Sequence, residues 1–273
     1  MSEPAWLSLH FYPLETQDVF LTRALRPFLV QHVWNVQGAR FFFVRFEDEK
    51  GPHLRLRFRG ETAWLRETLL PAFEMLVKDR GSWTEVSYQA ESDRFGGQDA
   101  MAWAEEHFHL STRVVLDRIA RPEFTYGDAL YDALRLNAMM LHAAGFTRER
   151  VSWYFGQLTD QWLPLFFRPE NDEKPQDKIW MQEVREQFEQ SFQAQENALR
   201  PVMDALWEAL QTGKTDAKQP EWRRWHMGNE MVLGELGSNL EKALPSLIHL
   251  SNNRLGVTNP DEVFVCYVLM RAL

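Results

Sequence analysis

Only one cysteine occurs among the 273 residues, Cys266. A single thiol rules out an intrachain disulfide framework and a cysteine-based zinc cluster. It sits in the apolar run Val263-Phe264-Val265-Cys266-Tyr267-Val268-Leu269, so a buried structural thiol is expected. Positive charge is also short: 30 Lys and Arg face 39 Asp and Glu, for a net charge of −9. That balance argues against a general nucleic-acid binder and makes any arginine site a local exception in an acidic field. No apolar run is long enough to span a membrane. The opening MSEPAWLSLHFYP lacks both a basic segment and the long apolar segment of a signal peptide. A reducing cytoplasm is the expected location. There is no Walker loop, no dinucleotide GxGxxG and no GxSxG nucleophile elbow. Covalent nucleophilic catalysis therefore has little support.

What is abundant is aromatic: 11 Trp and 19 Phe in a chain that is 45% hydrophobic. These suit a large core or a cleft lined for a peptide. The clearest pattern is Gly51-Pro52-His53-Leu54-Arg55-Leu56-Arg57-Phe58-Arg59-Gly60. Its strict alternation predicts a strand with Leu54, Leu56 and Phe58 on one face and His53, Arg55, Arg57 and Arg59 on the other. Arginines two apart on a strand face lie roughly 6–7 Å apart and repel unless anions lie among them. Either neighbouring acids neutralise an exposed face, or the ladder grips a carboxylate or phosphate, which a planar guanidinium holds bidentately.

Around this strand, alternation predicts further strands over 5–13, 39–47 and 83–90, with Asp48-Glu49-Lys50-Gly51-Pro52 as the turn of a hairpin. Helical spacing marks 15–34, which Pro27 should kink, and 61–79, which contains Pro71. Strand, helix, strand, strand, helix, strand is the split βαβ, ferredoxin-like order. After residue 98 the pattern turns helical. Helices are expected over 98–119, 126–144, 148–163, 178–211 and 261–271, with loops at 168–178 and 212–220. Residues 222–256 read as helical at first, then irregular around Ser251-Asn252-Asn253. The fold class is α+β: a ferredoxin-like subdomain over 1–97 and a helical subdomain over 98–273, forming one compact unit. A cleft is expected between the arginine face and the helices.

Three further segments carry chemistry. Tyr88-Gln89-Ala90-Glu91-Ser92-Asp93-Arg94-Phe95-Gly96-Gly97 follows the fourth strand, and Glu91 and Arg94 either converge on a site or form a local ion pair. His249-Leu250-Ser251-Asn252-Asn253-Arg254-Leu255-Gly256 offers an acid–base histidine beside an orienting amide, or else a helix end capped by Asn and Gly. Glu105-Glu106-His107-Phe108-His109 invites a metal, but residues two apart on a helix diverge, so no metal is expected. No cofactor is expected either.

GPHLRLRF after FFFVRF, then YQAESDRFGG, then IHLSNNRLG together resemble the C-terminal domain of class I lantibiotic dehydratases, which also occurs as thiopeptide-type bacteriocin biosynthesis proteins. The resemblance covers nearly the whole chain. It implies a lyase that eliminates glutamate from glutamylated Ser or Thr of a ribosomal precursor peptide, leaving dehydroalanine or dehydrobutyrine. By motif position it implies Arg55, Arg57, Glu91, Arg94 and His249 as catalytic residues. His10, His53, Asn253 and Arg254 are the expected substrate-binding residues. Asp93 and Phe95 stand where the family usually has Glu and Tyr. The implied partners are a precursor peptide with its leader and a separate tRNA-dependent glutamylation protein. Related proteins instead form a pyridine by [4+2] cycloaddition between two dehydroamino acids. A non-catalytic peptide-binding partner is a third reading, whose mark would be an arginine face filled by internal acids.

Overall fold

The computed structural model describes residues 4–167, 179–214 and 219–273. The loop expected over 168–178 lies outside the described residues, as does part of that over 212–220. Strand β1 (Ala5–Pro13) leads into α1 (Gln17–Phe20) and α2 (Arg26–His32), then β2 (Arg40–Asp48), β3 (Gly51–Gly60), α3 (Leu70–Val77) and β4 (Gly81–Glu85). Every pairing is antiparallel and the order across the sheet is β2-β3-β1-β4, as the ferredoxin-like plan requires.

Register explains which face is buried. Leu7 pairs with Phe58, Leu9 with Leu56 and Phe11 with Leu54, while Phe41 and Phe43 continue the row from β2. All of these side chains are fully buried. Phe20 and Phe73 bring the helices onto them, with ring centroids 4.3 and 6.1 Å from Phe11. Neither proline kinks its helix as a simple break. A π turn, Leu21–Leu25, stands immediately before Pro27, and Trp64–Leu69 stands before Pro71. The N–H of Arg26 reaches back to Leu21 and that of Leu70 to Leu65. Each widened turn admits a pyrrolidine ring that would otherwise strike the carbonyl four residues back.

Strand β4 stops at Glu85 rather than continuing to residue 90. Val86 still donates to the Ser8 carbonyl at 2.9 Å, after which the chain leaves the sheet. Tyr88 folds over the second face, its ring centroid 4.6 Å from Trp6 and 6.1 Å from Phe42. The other edge of the sheet, β2, is covered by α4 (Gln98–Ile119) and α10 (Leu240–Leu255). His109 of α4 accepts from the Phe41 N–H at 3.1 Å, and the Asn253 amide of α10 bonds both the N–H and the C=O of Arg45. Side chains thus satisfy an edge that would otherwise template another strand.

Backbone contacts group the sheet, its helices and α4, up to Phe124, with Glu235–Gly256; the second unit is Thr125–Gly234 with Val257–Leu273. This grouping differs from a division at residue 97. Unlike the irregular stretch expected at 251–253, α10 stays helical to Leu255 and ends at Gly256, whose φ of +85° is the left-handed turn glycine tolerates. The second unit holds α5 (Tyr126–Ala143), α6 (Arg148–Phe166), α7 (Ile179–Gln193), α8 (Glu196–Gln211), most of α9 (Pro220–Leu236) and α11 (Asn259–Ala272). The single helix expected over 178–211 is broken between Gln193 and Glu196. Cys266 is buried in α11, and burial raises its thiol pKa. Among the described residues no helix is long and apolar enough to cross a membrane.

Candidate functional site

The second face of the sheet carries Trp6, Ser8 and His10 from β1, Phe42, Val44 and Phe46 from β2, and His53, Arg55 and Arg57 from β3. The register places Arg57 between Ser8 and Phe42, and Arg55 between His10 and Val44. A cavity of about 210 Å³ opens on this face. Its floor is Phe42, Val44, Phe46, Arg55 and Arg57; Tyr88, Glu91 and Arg94 form one wall; Phe108, His249 and Asn253 form another. Arg55, Arg57, Glu91, Arg94, His249 and Asn253 are therefore brought together from segments about 200 residues apart, all within the first unit.

Each member is held differently. Arg57 is only 8% exposed, and Nη1 donates to the carbonyls of Leu9 and Leu56 at 3.3 and 3.1 Å. Burial, followed by the neighbouring Arg55, lowers its pKa to about 10, which leaves it charged at neutral pH. The Arg55 guanidinium carbon lies 3.3 Å from the Phe46 ring centroid, and its buried Nε lacks a hydrogen-bond partner among the described residues. Among the described residues no carboxylate stands within ion-pair distance of Arg55 or Arg57. Arg94 contrasts with both: its Nη1 meets Glu91 Oε2 at 2.7 Å, and both side chains are more than half exposed. The local ion pair and the cleft-lining position coexist.

Arg94 sits on a 3₁₀ turn, Ser92–Phe95, which Glu91 precedes at its N-cap and Gly96 closes at φ +101°. A Cβ at Gly96 would lie 2.3 Å from Asn239 Oδ1, so both backbone geometry and close approach demand glycine there. His249 and Asn253, one helical turn apart, share the cleft-facing side of α10. Asn253 is tied to the Arg45 backbone, accepting from its N–H at 2.9 Å and donating to its C=O at 3.0 Å.

The remaining expected residues lie behind the lining. His10 contacts Arg57 with Nε2 3.4 Å from Nη2. His53 is fully buried, stacked 4.6 Å from Tyr12 and 5.0 Å from His10. Arg254 is fully buried; Nη1 donates to the Leu250 carbonyl at 2.9 Å, and its guanidinium carbon lies 5.0 Å from the Phe108 ring centroid. Burial lowers its pKa to about 9. In the segment that invited a metal, Glu105 takes the Tyr88 hydroxyl at 2.8 Å, Glu106 pairs with Arg40 at 2.7 Å, and His107 meets Ser251 at 3.1 Å.

Tyr88, Phe42 and Phe108 were not singled out by the sequence, yet they form much of the wall. Alternation along β2 carried a signal for Phe42, since it lies two residues from Val44 on the same face as the arginines. Burial, and then the Glu105 carboxylate that accepts from it, raise the Tyr88 pKa, so the phenol stays protonated. An aromatic wall around guanidiniums that have no acid is a low-dielectric place to receive a carboxylate or a developing oxyanion.

Comparison with known proteins supplies a family and a fold. The family model for the lantibiotic biosynthesis dehydratase C-terminal region matches residues 6–273. Subtilin biosynthesis protein SpaB of Bacillus subtilis is 29% identical over 119 residues, which is 40% of this chain and 11% of SpaB. The tRNA-dependent lantibiotic dehydratase MibB of Microbispora sp. 107891 is similar in fold, with a TM-score of 0.59 at 21% identity over 97% of this chain and 28% of MibB. TbtD, the pyridine synthase from thiomuracin biosynthesis, gives 0.73 at 15% identity over 98% of this chain and 97% of TbtD. With a match that runs from the first strand to the last residue, the chain belongs to the lantibiotic biosynthesis dehydratase C-terminal family, while spanning about a tenth of SpaB and under a third of MibB.

Proposed function

We propose that this chain is a lyase that eliminates glutamate from glutamylated Ser or Thr of a precursor peptide. The observation that carries the reading is the pair Arg55 and Arg57: two cations on the floor of an aromatic cleft, with no carboxylate within ion-pair distance among the described residues. A buried cation held without an acid is costly unless an anion arrives to use it. The glutamyl ester supplies one. In the step, a base takes the peptide Cα proton, the Cα=Cβ bond forms, the Cβ–O bond breaks, and its electron pair leaves on the glutamate carboxylate. Arg55 and Arg57 stabilise the enolate-like charge and the departing carboxylate. Arg94 steadies the glutamyl group, Glu91 orients Arg94, and His249 moves the proton. The substrate arrives already glutamylated by a separate tRNA-dependent protein, bearing its leader, in the cytoplasm.

A second reading, pyridine formation by [4+2] cycloaddition, is supported by the fold shared with TbtD. It has no glutamate to expel and gives the acid-free arginines less to do.

Mass spectrometry of a glutamylated Ser/Thr peptide with its leader, incubated with this protein alone, separates the two. Loss of a whole glutamate with a dehydrated residue remaining is the expected result. An unchanged ester, together with conversion of a peptide already carrying two dehydroalanines, would overturn elimination in favour of cycloaddition.

A further inference from the structure

Among the described residues Arg57 has three acceptors, and none is charged. Two are the carbonyls of Leu9 and Leu56; the third is His10 Nε2, at 3.4 Å from Nη2. A guanidinium has only donors, so this contact exists only when His10 presents a lone pair at Nε2 and carries its proton on Nδ1. We infer that His10 is a positioning residue: as the Nδ1–H tautomer it orients the Arg57 guanidinium toward the cleft while leaving its charge unspent for an incoming carboxylate. The inference rests on the proposed anion-binding role of Arg57, not on the identity of the reaction.

The setting explains why a histidine serves here. An aspartate at residue 10 would hold Arg57 more firmly but neutralise it, and the cleft would lose the cation it is built around. A neutral imidazole accepts one hydrogen bond and adds no charge. His10 is itself held by its ring contact with His53, 5.0 Å away, which in turn meets Tyr12 at 4.6 Å. The ionisable groups around His10 are Arg57, His53, Arg55 and Asp48. Asp48 is tied to the Tyr12 hydroxyl at 2.9 Å. Across the sheet on β4, His10 faces Thr84, and the nearby Glu85 is paired with Arg66 at 2.6 Å. Burial first, then Arg57, His53 and Arg55, lower the imidazole pKa to about 4, so the acceptor form is the one present at neutral pH.

The test has two arms. Long-range proton–nitrogen NMR of the labelled, ligand-free protein at pH 7 reads the tautomer directly, and a protonated Nδ1 with an unprotonated Nε2 at His10 is expected. In the second arm, calorimetric binding of L-glutamate compares three proteins. His10→Phe keeps the stacking but has no acceptor and should bind about tenfold more weakly; His10→Gln keeps a neutral acceptor and should return within about threefold of wild type. A His10 protonated at Nε2, or His10→Phe binding as tightly as wild type, overturns the inference. If glutamate is bound with these differences while no ester is eliminated, the lyase reading falls and the positioning role stands.

Discussion

Two arginine sites meet in the cleft, and they are built on opposite principles. On the strand floor, Arg57 is 8% exposed and held by neutral acceptors. On the turn after β4, Arg94 is 54% exposed and carries its own carboxylate, Glu91, three residues away. The buried guanidinium keeps its full field in a low-dielectric place, where charge acts strongly. The exposed one is screened and already paired. The floor is therefore expected to set the chemistry and the rim to adjust it.

The largest effect should come from removing the floor cation. Arg57→Met replaces a buried, acid-free charge by an apolar side chain of similar length. Such a change is often neutral or stabilising. Elimination, in contrast, should fall about 10²–10³-fold, the loss typical of one donor to a developing oxyanion. Single-turnover mass spectrometry and a melting curve on the same variant check both halves. A variant that loses stability as steeply as activity would mean that Arg57 is structural and the contrast with Arg94 is false.

Next comes the joint that carries His249. Asn253 bonds both backbone groups of Arg45 and so fixes α10 against the sheet edge. Asn253→Ala leaves that N–H and C=O without their partner and should cost roughly 1–3 kcal/mol in urea unfolding. Activity should fall alongside, because the helix that presents His249 is loosened. Equal stability with lost activity would instead make Asn253 a substrate contact.

A smaller effect concerns pH. The other edge-sealing side chain, His109, accepts from the Phe41 N–H, and burial followed by Arg40 lowers its pKa to about 4. The unfolded imidazole, near 6.5, binds protons more readily than the folded one. Its contribution to stability is therefore complete above pH 6.5 and lost as pH falls toward 4. The melting temperature should decline over that window, and His109→Gln, which keeps an acceptor but does not titrate, should flatten the decline. An unchanged slope would show that His109 is not the group being charged.

How far all this could be read from the sequence depended on the range of the interactions. Period-two alternation in β1 and β3 located both faces of the sheet, because strand geometry is local. Segment order then gave the ferredoxin-like plan. The π turns before Pro27 and Pro71 were hidden, since a single proline signals a break without saying how the helix absorbs it. Strand β4 was read too long because Val86 to Ala90 alternates as a strand does, while the packing of Tyr88 on Trp6 and Phe42, a tertiary contact, draws it off the sheet. Likewise LSNNR reads as a helix end, but the buried Ser251, Asn252 and Arg254 keep it helical, and only that continuity puts His249 and Asn253 on one face. His109 and Asn253 seal the β2 edge across 68 and 208 residues, which no local pattern announces.

The smallest expected effect tests the rim. An exposed pair like Arg94–Glu91 contributes about 0–1 kcal/mol, so Arg94→Ala and Glu91→Gln should each unfold within about 0.5 kcal/mol of wild type. Their activities should separate them. Arg94→Ala removes a cation the glutamyl group uses, and kcat/KM should fall at least tenfold. Glu91→Gln removes only the competitor for that cation. If Glu91 merely neutralises Arg94, glutamylated peptide should bind as well as before or better, with KM lowered. If Glu91 orients the guanidinium, KM should rise as it does in Arg94→Ala, and the double variant should be no worse than Arg94→Ala alone. The second outcome is expected, because the 2.7 Å contact from Nη1 ties the Arg94 guanidinium to Glu91 while Arg94 still lines the cleft. Strict additivity in the double variant would show the two residues acting separately, and the rim would then be two sites rather than one.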